Sequence, residues 1–266
     1  MQTNRITTVV QQARQDGRKL LIPYYTAGFP TPGHAVDIIL SIADSGADIL
    51  ELGMPFSDPM ADGPTIQHSC QAALQQGVTL LGILDMVREV RKQSEIPIIL
   101  FGYFNPVYHY GIEQFMQDAH SAGADGVLLA DLPVGEIDRV KPAAQQANIH
   151  LTCLAAPTCS DEQLRTVEQA TDDFVYCVSI AGVTGARVSV YDVAKDFLQH
   201  AGTVFSKPYI VGFGIATPED VRQISAVSDG VVVGSALMKH LQTHQGDAAL
   251  PAKARQFVEA LRAPLV

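Results

Sequence analysis

Glu51, Asp58 and Asp62 are three acids close together in the run Leu50-Glu51-Leu52-Gly53-Met54-Pro55-Phe56-Ser57-Asp58-Pro59-Met60-Ala61-Asp62-Gly63-Pro64. Ile49, Leu50 and Leu52 surround Glu51, and a run apolar on both faces fits a strand of an enclosed parallel sheet. A lone carboxylate buried there responds with a raised pKa, because burial disfavours the charged form. Asp62 lies on the Gly/Pro/Ser/Asp loop that follows, long enough to fold back as a lid. One acid on a buried strand end and another on a covering loop suit acid–base catalysis. A structural glutamate satisfied by hydrogen bonds is the alternative at position 51. Asp62-Gly63-Pro64 reads equally well as an ordinary turn and helix cap.

A second group of residues could hold an anion. Gly182-Val183-Thr184-Gly185, Gly212-Phe213-Gly214 and Gly234-Ser235 each follow an apolar run. Glycines let backbone N–H groups approach a ligand, and a helix starting near Ser235 would present its positive end. Any one of them is a turn glycine on its own terms. Three sets at successive strand ends point instead to a phosphate cradle that needs no lysine or arginine.

These residues need a scaffold, and eight short β-type runs supply it: Leu20–Tyr24, Ile49–Leu52, Ile98–Phe101, Val127–Ala130, His150–Leu154, Phe174–Val178, Tyr209–Gly212 and Val231–Val233. Amphipathic helical stretches alternate with them, among them His34–Asp44, Ile112–Ala122, Gly135–Gln146, Glu162–Ala170, Val190–Gln199 and Pro218–Ser225. Eight strand–helix units predict an α/β chain folded as a (β/α)8 TIM barrel, one domain over residues 1–266. A doubly wound sheet would carry a G-x-G-x-x-G turn after its first strand, which Thr26-Ala27-Gly28-Phe29-Pro30 is not. Ser45-Gly46-Ala47-Asp48, Ala122-Gly123-Ala124-Asp125 and Val227-Ser228-Asp229-Gly230 echo one another before three of the strands. They read as helix C-caps entering buried strands, so Asp48, Asp125 and Asp229 are expected to be structural, at the N-terminal face. Residues before Gly17 form an extra N-terminal helix closing the barrel bottom, and Ala252–Leu261 an extra C-terminal one.

Composition narrows the function classes. The chain has 266 residues, 47% of them hydrophobic, and a net charge of −10, which argues against a nucleic-acid or anionic-membrane surface. No apolar run is long enough to span a bilayer, and the N-terminus lacks the apolar core of a signal peptide. Cys70, Cys153, Cys159 and Cys177 lack metal-type spacing and read as reduced, buried thiols of a cytoplasmic protein. A Schiff-base mechanism needs a lysine inside the barrel mouth, whereas Lys19 and Lys207 precede their strands at the opposite face. Metal-assisted cleavage needs clustered ligands at strand ends, and the histidines fall on helices or loops, with His150 opening a strand. The expected chemistry therefore uses neither metal nor cofactor. The substrate must itself accept electrons once protonated.

The run Leu50 through Gln67, LELGMPFSDPMADGPTIQ, together with Gly182–Gly185, Gly212–Ile215 and Gly234–Ala236, resembles the tryptophan synthase α subunit family, and the resemblance covers nearly the whole chain. It implies retro-aldol cleavage of indole-3-glycerol phosphate to indole and glyceraldehyde 3-phosphate, in which an indole protonated at C3 is the electron sink. By the same resemblance Glu51 is the general acid/base at indole C3 and on the glycerol hydroxyl, and Asp62 accepts the indole N–H. Tyr24, Phe101, Tyr103, Leu128, Leu154, Tyr176 and Phe213 match positions around the indole, and Gly185, Gly214, Gly234 and Ser235 match phosphate-binding positions. The family implies a pyridoxal-phosphate β subunit as partner in an α2β2 heterotetramer, with Met54–Met60, Asn105–His109 and Asp131–Pro133 as contact loops. Ile180 departs from an arginine frequent in bacterial members, which bears on how loop closure is coupled to the partner. Two other readings compete: a binding or regulatory barrel that keeps only the phosphate site, and a sugar-phosphate isomerase or epimerase. Retention of both acids argues against the first, and the aromatic lining against the second.

Overall fold

The computed structural model describes residues 3–178, 190–212 and 214–265. Nine parallel strands form one sheet: β1 (Leu20–Thr26), β2 (Leu50–Gly53), β3 (Ile98–Gly102), β4 (Gly126–Leu129), β5 (His150–Leu151), β6 (Leu154–Ala155), β7 (Val175–Val178), β8 (Tyr209–Gly212) and β9 (Gly230–Val233). Their order is β5-β4-β3-β2-β1-β9-β8-β7-β6. The two ends of that order, β5 and β6, are consecutive pieces of a single run, one paired to β4 and the other to β7. The sheet is therefore a ring of eight staves, the expected (β/α)8 barrel, with the fifth stave interrupted.

Thr171 accounts for the interruption. Its hydroxyl accepts the Cys153 N–H at 3.3 Å and lies 3.2 Å from the Leu151 carbonyl and 2.7 Å from that of Phe174. A side chain thus takes backbone groups that the ladder would otherwise use. The adjoining bonds Thr152 N to Val127 O and Tyr176 N to Cys153 O, both 3.1 Å, keep the stave in the ring.

Strand residues such as Leu21, Ile22, Leu50, Leu52, Ile98–Leu100, Val127, Ile210 and Val231 are fully buried, as expected where helices cover the outside of the sheet. Helices Ala35–Ala43, Pro64–Gln75, Leu80–Arg91, Ile112–Ala122, Asp161–Ala170, Val190–Val204, Pro218–Ser225 and Ser235–Thr243 follow their strands. The stretch expected to be helical over Gly135–Gln146 is instead a 3-10 segment, Val134–Arg139, followed by an α-helix, Lys141–Ala147. Pro142 has no N–H to donate within a helix, so it sits in the first turn of a new one.

The N-terminal face is closed by charge pairs. Asp48, Asp125, Asp172 and Asp229 each donate a backbone N–H to the start of a neighbouring strand and accept one back on a side-chain oxygen. Their partners are Leu21, Ile98, Leu151 and Tyr209, and the side-chain bonds run 2.7–3.0 Å. Arg18 and Arg262 hold Asp48, and Arg5 and Arg91 hold Asp125. The three aspartates assigned a structural role are thus members of one belt, and Asp172 is a fourth. Helix Arg5–Gln15 caps this end: Asn4 Nδ2 donates to the Asp125 carbonyl at 2.9 Å, and Ile6 packs over Gly126, where a side chain would clash with it. Helix Leu250–Arg262 lies against Ala35–Ala43. Among the described residues no helix is long and apolar enough to cross a membrane.

The interrupted stave is held from below by His150, whose Nδ1 lies 2.6 Å from Asp173 Oδ2, while Thr7 of the N-terminal helix donates to Asp173 Oδ1 at 2.6 Å. Burial alone would lower the His150 pKa, but the Asp173 hydrogen bond and the charges of Asp173, Asp172 and Asp125 raise it overall. A histidine raised in the folded state stabilises fully below its unfolded pKa, and the contribution fades as pH rises through the folded value. His150→Gln should therefore cost roughly 0.5–1 kcal/mol more at pH 5.5 than at pH 8.5, after allowing for solvent screening. Urea titrations of both proteins at the two pH values check this; an equal gap at both contradicts it.

Candidate active site

Glu51 is the second residue of β2, directly beside Tyr24 of β1 and Ile99 of β3 in the parallel register. Its side chain is fully buried, and neither carboxylate oxygen has a hydrogen-bond partner among the described residues. Desolvation pushes its pKa up to about 8. The structural alternative, a buried glutamate satisfied by hydrogen bonds, does not match this geometry. A buried carboxyl left without partners is a functional candidate on physical grounds.

The group faces a cleft lined by Tyr24, Glu51, Asp62, Ile66, Phe101, Tyr176, Gly214, Ile215, Val232, Gly234 and Ser235. Asp62 comes from the loop after β2, so two acids that lie on different elements converge on one space. Burial raises the Asp62 pKa and a hydrogen bond from Tyr103 opposes the rise, leaving it at about 6. The Tyr103 hydroxyl donates to Asp62 Oδ2 at 2.7 Å and accepts the Ala61 N–H at 3.2 Å, and its ring packs 5.3 Å from Phe56. Gln67 Nε2 donates to the Asp62 carbonyl at 2.9 Å. The loop is thus pinned over the mouth from both sides. Asp58 points away, exposed and bonded to Ser57.

Two glycines make room for the tyrosines. A Cβ at Gly53 would occupy the place of the Tyr24 hydroxyl, and one at Gly212 that of the Tyr176 hydroxyl. Gly212, expected in the anion cradle, gives the Tyr176 ring this space. Tyr24 meets Phe101 edge to face at 5.3 Å, which suits a flat aromatic ligand against apolar walls. At the other end of the cavity Gly214 adopts φ +82°, a conformation that favours glycine. Gly234 and Ser235 begin helix Ser235–Thr243, whose first-turn N–H groups have no helical acceptor and can meet an anion.

Of the expected site residues, the structure brings together Glu51, Asp62, Tyr24, Phe101, Tyr176, Gly214, Gly234 and Ser235. Three others do not line this cavity. Tyr103 holds the Asp62 loop, Leu128 is buried next to Phe101 in the register, and Leu154 lines neighbouring space with Cys153. Gly185 and Phe213, with Ile180 and the Gly182–Gly185 run, lie outside the described residues. Ile66, Ile215 and Val232 were not anticipated. Strand alternation places Val232 on the same face as Gly234, a signal available beforehand. The described residues contain no group of three or more His, Cys, Asp or Glu side chains able to hold a metal. All four cysteines are free, three buried and Cys159 half-buried.

A family model described as tryptophan synthase alpha chain matches residues 10–263. The tryptophan synthase alpha chain of Geotalea uraniireducens is 46% identical over 260 residues, covering 98% of this chain and 97% of that protein. The crystal structure of the α subunit from Legionella pneumophila superimposes with a TM-score of 0.92 at 36% identity, covering 99% of each chain. A chain of the tryptophan synthase α2β2 complex from Pyrococcus furiosus gives 0.85 at 38% identity, covering 92% of this chain and 99% of that one.

Because the Tyr103 hydrogen bond favours the ionised form of Asp62, its removal should raise the Asp62 pKa above about 6. Tyr103→Phe, followed by carbon-detected NMR titration of the Asp62 carboxyl, tests this. An unchanged midpoint would show that the contact has no electrostatic effect.

Proposed function

We infer the working chemistry of this site from the premise that the chain belongs to the tryptophan synthase alpha chain family. The chain is a carbon–carbon lyase of L-tryptophan biosynthesis, cleaving indole-3-glycerol phosphate to indole and glyceraldehyde 3-phosphate. In our assignment the indole lies among Tyr24, Phe101 and Tyr176, and the phosphate lies at Gly214, Gly234 and Ser235.

The observation that carries the assignment is the pair of carboxyls in one cavity with pKa values set apart, Glu51 at about 8 and Asp62 at about 6. At neutral pH the first keeps its proton and the second is charged, so acid and base roles are separated by environment. Glu51 delivers its proton to indole C3. The positive charge spreads to the ring nitrogen, whose N–H faces the Asp62 carboxylate. The hydroxyl on the adjoining side-chain carbon then gives its proton to the carboxylate that Glu51 has become. Its O–H electron pair becomes the aldehyde C=O, the bond between side chain and ring breaks, and that pair returns to the ring as neutral indole. The proton on Glu51 is restored, and no external electron sink is involved.

The partner is a tryptophan synthase β subunit, and we place the contact on the segments Met54–Met60, Asn105–His109 and Asp131–Pro133, of which the second, expected as a loop, is part of helix Phe104–Tyr110. Met60 and Tyr108, 92% and 57% exposed, lie in two of these segments and are two of the large apolar side chains left open to solvent, which supports the placement. We also take the chain as one barrel domain over residues 1–266 working in the cytoplasm. The continuous hydrophobic core and the free thiols support these two points.

Indole release measured with increasing β subunit tests the reading directly; a chain that releases none at any ratio does not carry out this reaction. The pH profile of kcat/KM should be bell-shaped, with limbs near 6 and 8 for Asp62 ionised and Glu51 protonated. Glu51→Gln should lower turnover by roughly 10^2- to 10^4-fold. The same change should raise stability. A carboxyl whose folded pKa exceeds its unfolded one loses stability as pH climbs between the two, here from 4.5 to about 8. Removing the charge should therefore recover on the order of 4 kcal/mol at pH 8 and little at pH 4.5. Near-normal turnover, or a variant less stable at pH 8, contradicts the role given to Glu51.

A further inference from the structure

Behind the cavity wall is a buried chain of hydroxyls that the reaction described above does not use. Thr26, the last residue of β1, is fully buried, as is Ser69 of helix Pro64–Gln75. Their oxygens lie 2.7 Å apart. Ser69 Oγ donates to the Ile66 carbonyl at 2.8 Å, so the Thr26 hydroxyl is the donor across the 2.7 Å contact, and the Tyr24 hydroxyl lies 3.3 Å from Thr26 Oγ1. The Thr26 N–H donates to Met238 Sδ at 3.4 Å.

Each bond leads to a different part of the site. Tyr24 pairs in register with Glu51, and Gly53 leaves room for its hydroxyl. Ile66 lines the cavity, on the helix that begins just after Asp62. Met238 lies on the helix whose first residues face the anion end. Thr26 therefore touches the acid wall, the lid helix and the anion-binding helix at once. Three buried hydroxyls in an apolar wall are costly unless mutually satisfied, and satisfied networks of this kind favour one arrangement of the elements they join.

We propose that Thr26 and Ser69 are positioning residues of the lyase: through their hydrogen-bonded hydroxyls they fix the Tyr24 hydroxyl beside Glu51 and fix the helix that follows Asp62. The proposal rests on the lyase reading above. Neither residue reaches the substrate; both act through Tyr24 and Ile66. Misplacing a reacting group by about 1 Å can cost roughly 100-fold in rate. The loss should fall on kcat, since the anion end of the cavity is built from other residues.

The test is steady-state indole release by the complex with β subunit, for the wild type and for Thr26→Val, Thr26→Ser, Ser69→Ala, Tyr24→Phe and the Thr26→Val/Tyr24→Phe double variant. Thermal unfolding and glycerol 3-phosphate binding are measured on each. Thr26→Val should lower kcat by roughly 10- to 100-fold with KM within about threefold and glycerol 3-phosphate binding unchanged. Thr26→Ser should recover most of the loss, Ser69→Ala should show a smaller loss of the same kind, and the double variant should be no worse than the poorer single one. An active wild type with Thr26→Val at wild-type kcat overturns the proposal alone. So does a loss that follows unfolding or weakened glycerol 3-phosphate binding, fails to recover in Thr26→Ser, or adds fully to that of Tyr24→Phe. A wild-type complex that releases no indole overturns the lyase reading, and the proposal with it.

Discussion

Glu51 is an ionisable group enclosed by apolar strands and given no hydrogen-bond partner among the described residues, and the rest of the site follows from that constraint. Water would solvate the carboxylate and restore its ordinary acidity, so the barrel wall must exclude it. Tyr24, Phe101 and Tyr176 provide that wall with flat apolar faces. Such a wall also selects an aromatic substrate, so raising the pKa and recognising the indole are consequences of the same packing. Asp62 experiences a weaker version of the constraint. It is part-buried and answered by one donor, Tyr103, and it stays charged at the pH where Glu51 is neutral.

The two faces of the barrel solve opposite problems. At the N-terminal face, buried aspartates are matched by backbone N–H groups and by Arg5, Arg18, Arg91 and Arg262. At the C-terminal face Glu51 has no partner among the described residues, which destabilises the fold and leaves it reactive. A closed ring of parallel strands tolerates this separation because its lower end stays rigid while the upper loops vary. Helix Ser235–Thr243 and helix Pro64–Gln75 pack against each other outside that ring, and Thr26 lies between them and the cavity.

Much of this was legible in the residue order. The apolar surroundings of Glu51 predicted a buried acid at a strand end, and the repeated small-residue turn before Asp48, Asp125 and Asp229 predicted structural aspartates. Helix boundaries were read less well where a proline restarted the chain, as at Pro142. Asp172 was missed because no glycine-rich turn precedes it, although its bonds to Leu151 match those of the other three. Tyr103 was placed in the pocket by resemblance; its contact with Asp62 depends on a loop fold that no local pattern encodes.

Taken alone, the sequence determined which residues are apolar, at what period they recur and where the chain must turn. Those properties act over a few neighbouring positions, and they were enough to specify eight staves and the burial of Glu51. Only the tertiary structure decided what lies beside what: Thr171 interrupting the fifth stave, Gly53 and Gly212 giving space to tyrosine hydroxyls, and Thr26 meeting Ser69 and Met238. These contacts join residues far apart in the chain, and their partners are set by ring closure, which couples every stave to the next and has no counterpart in local periodicity.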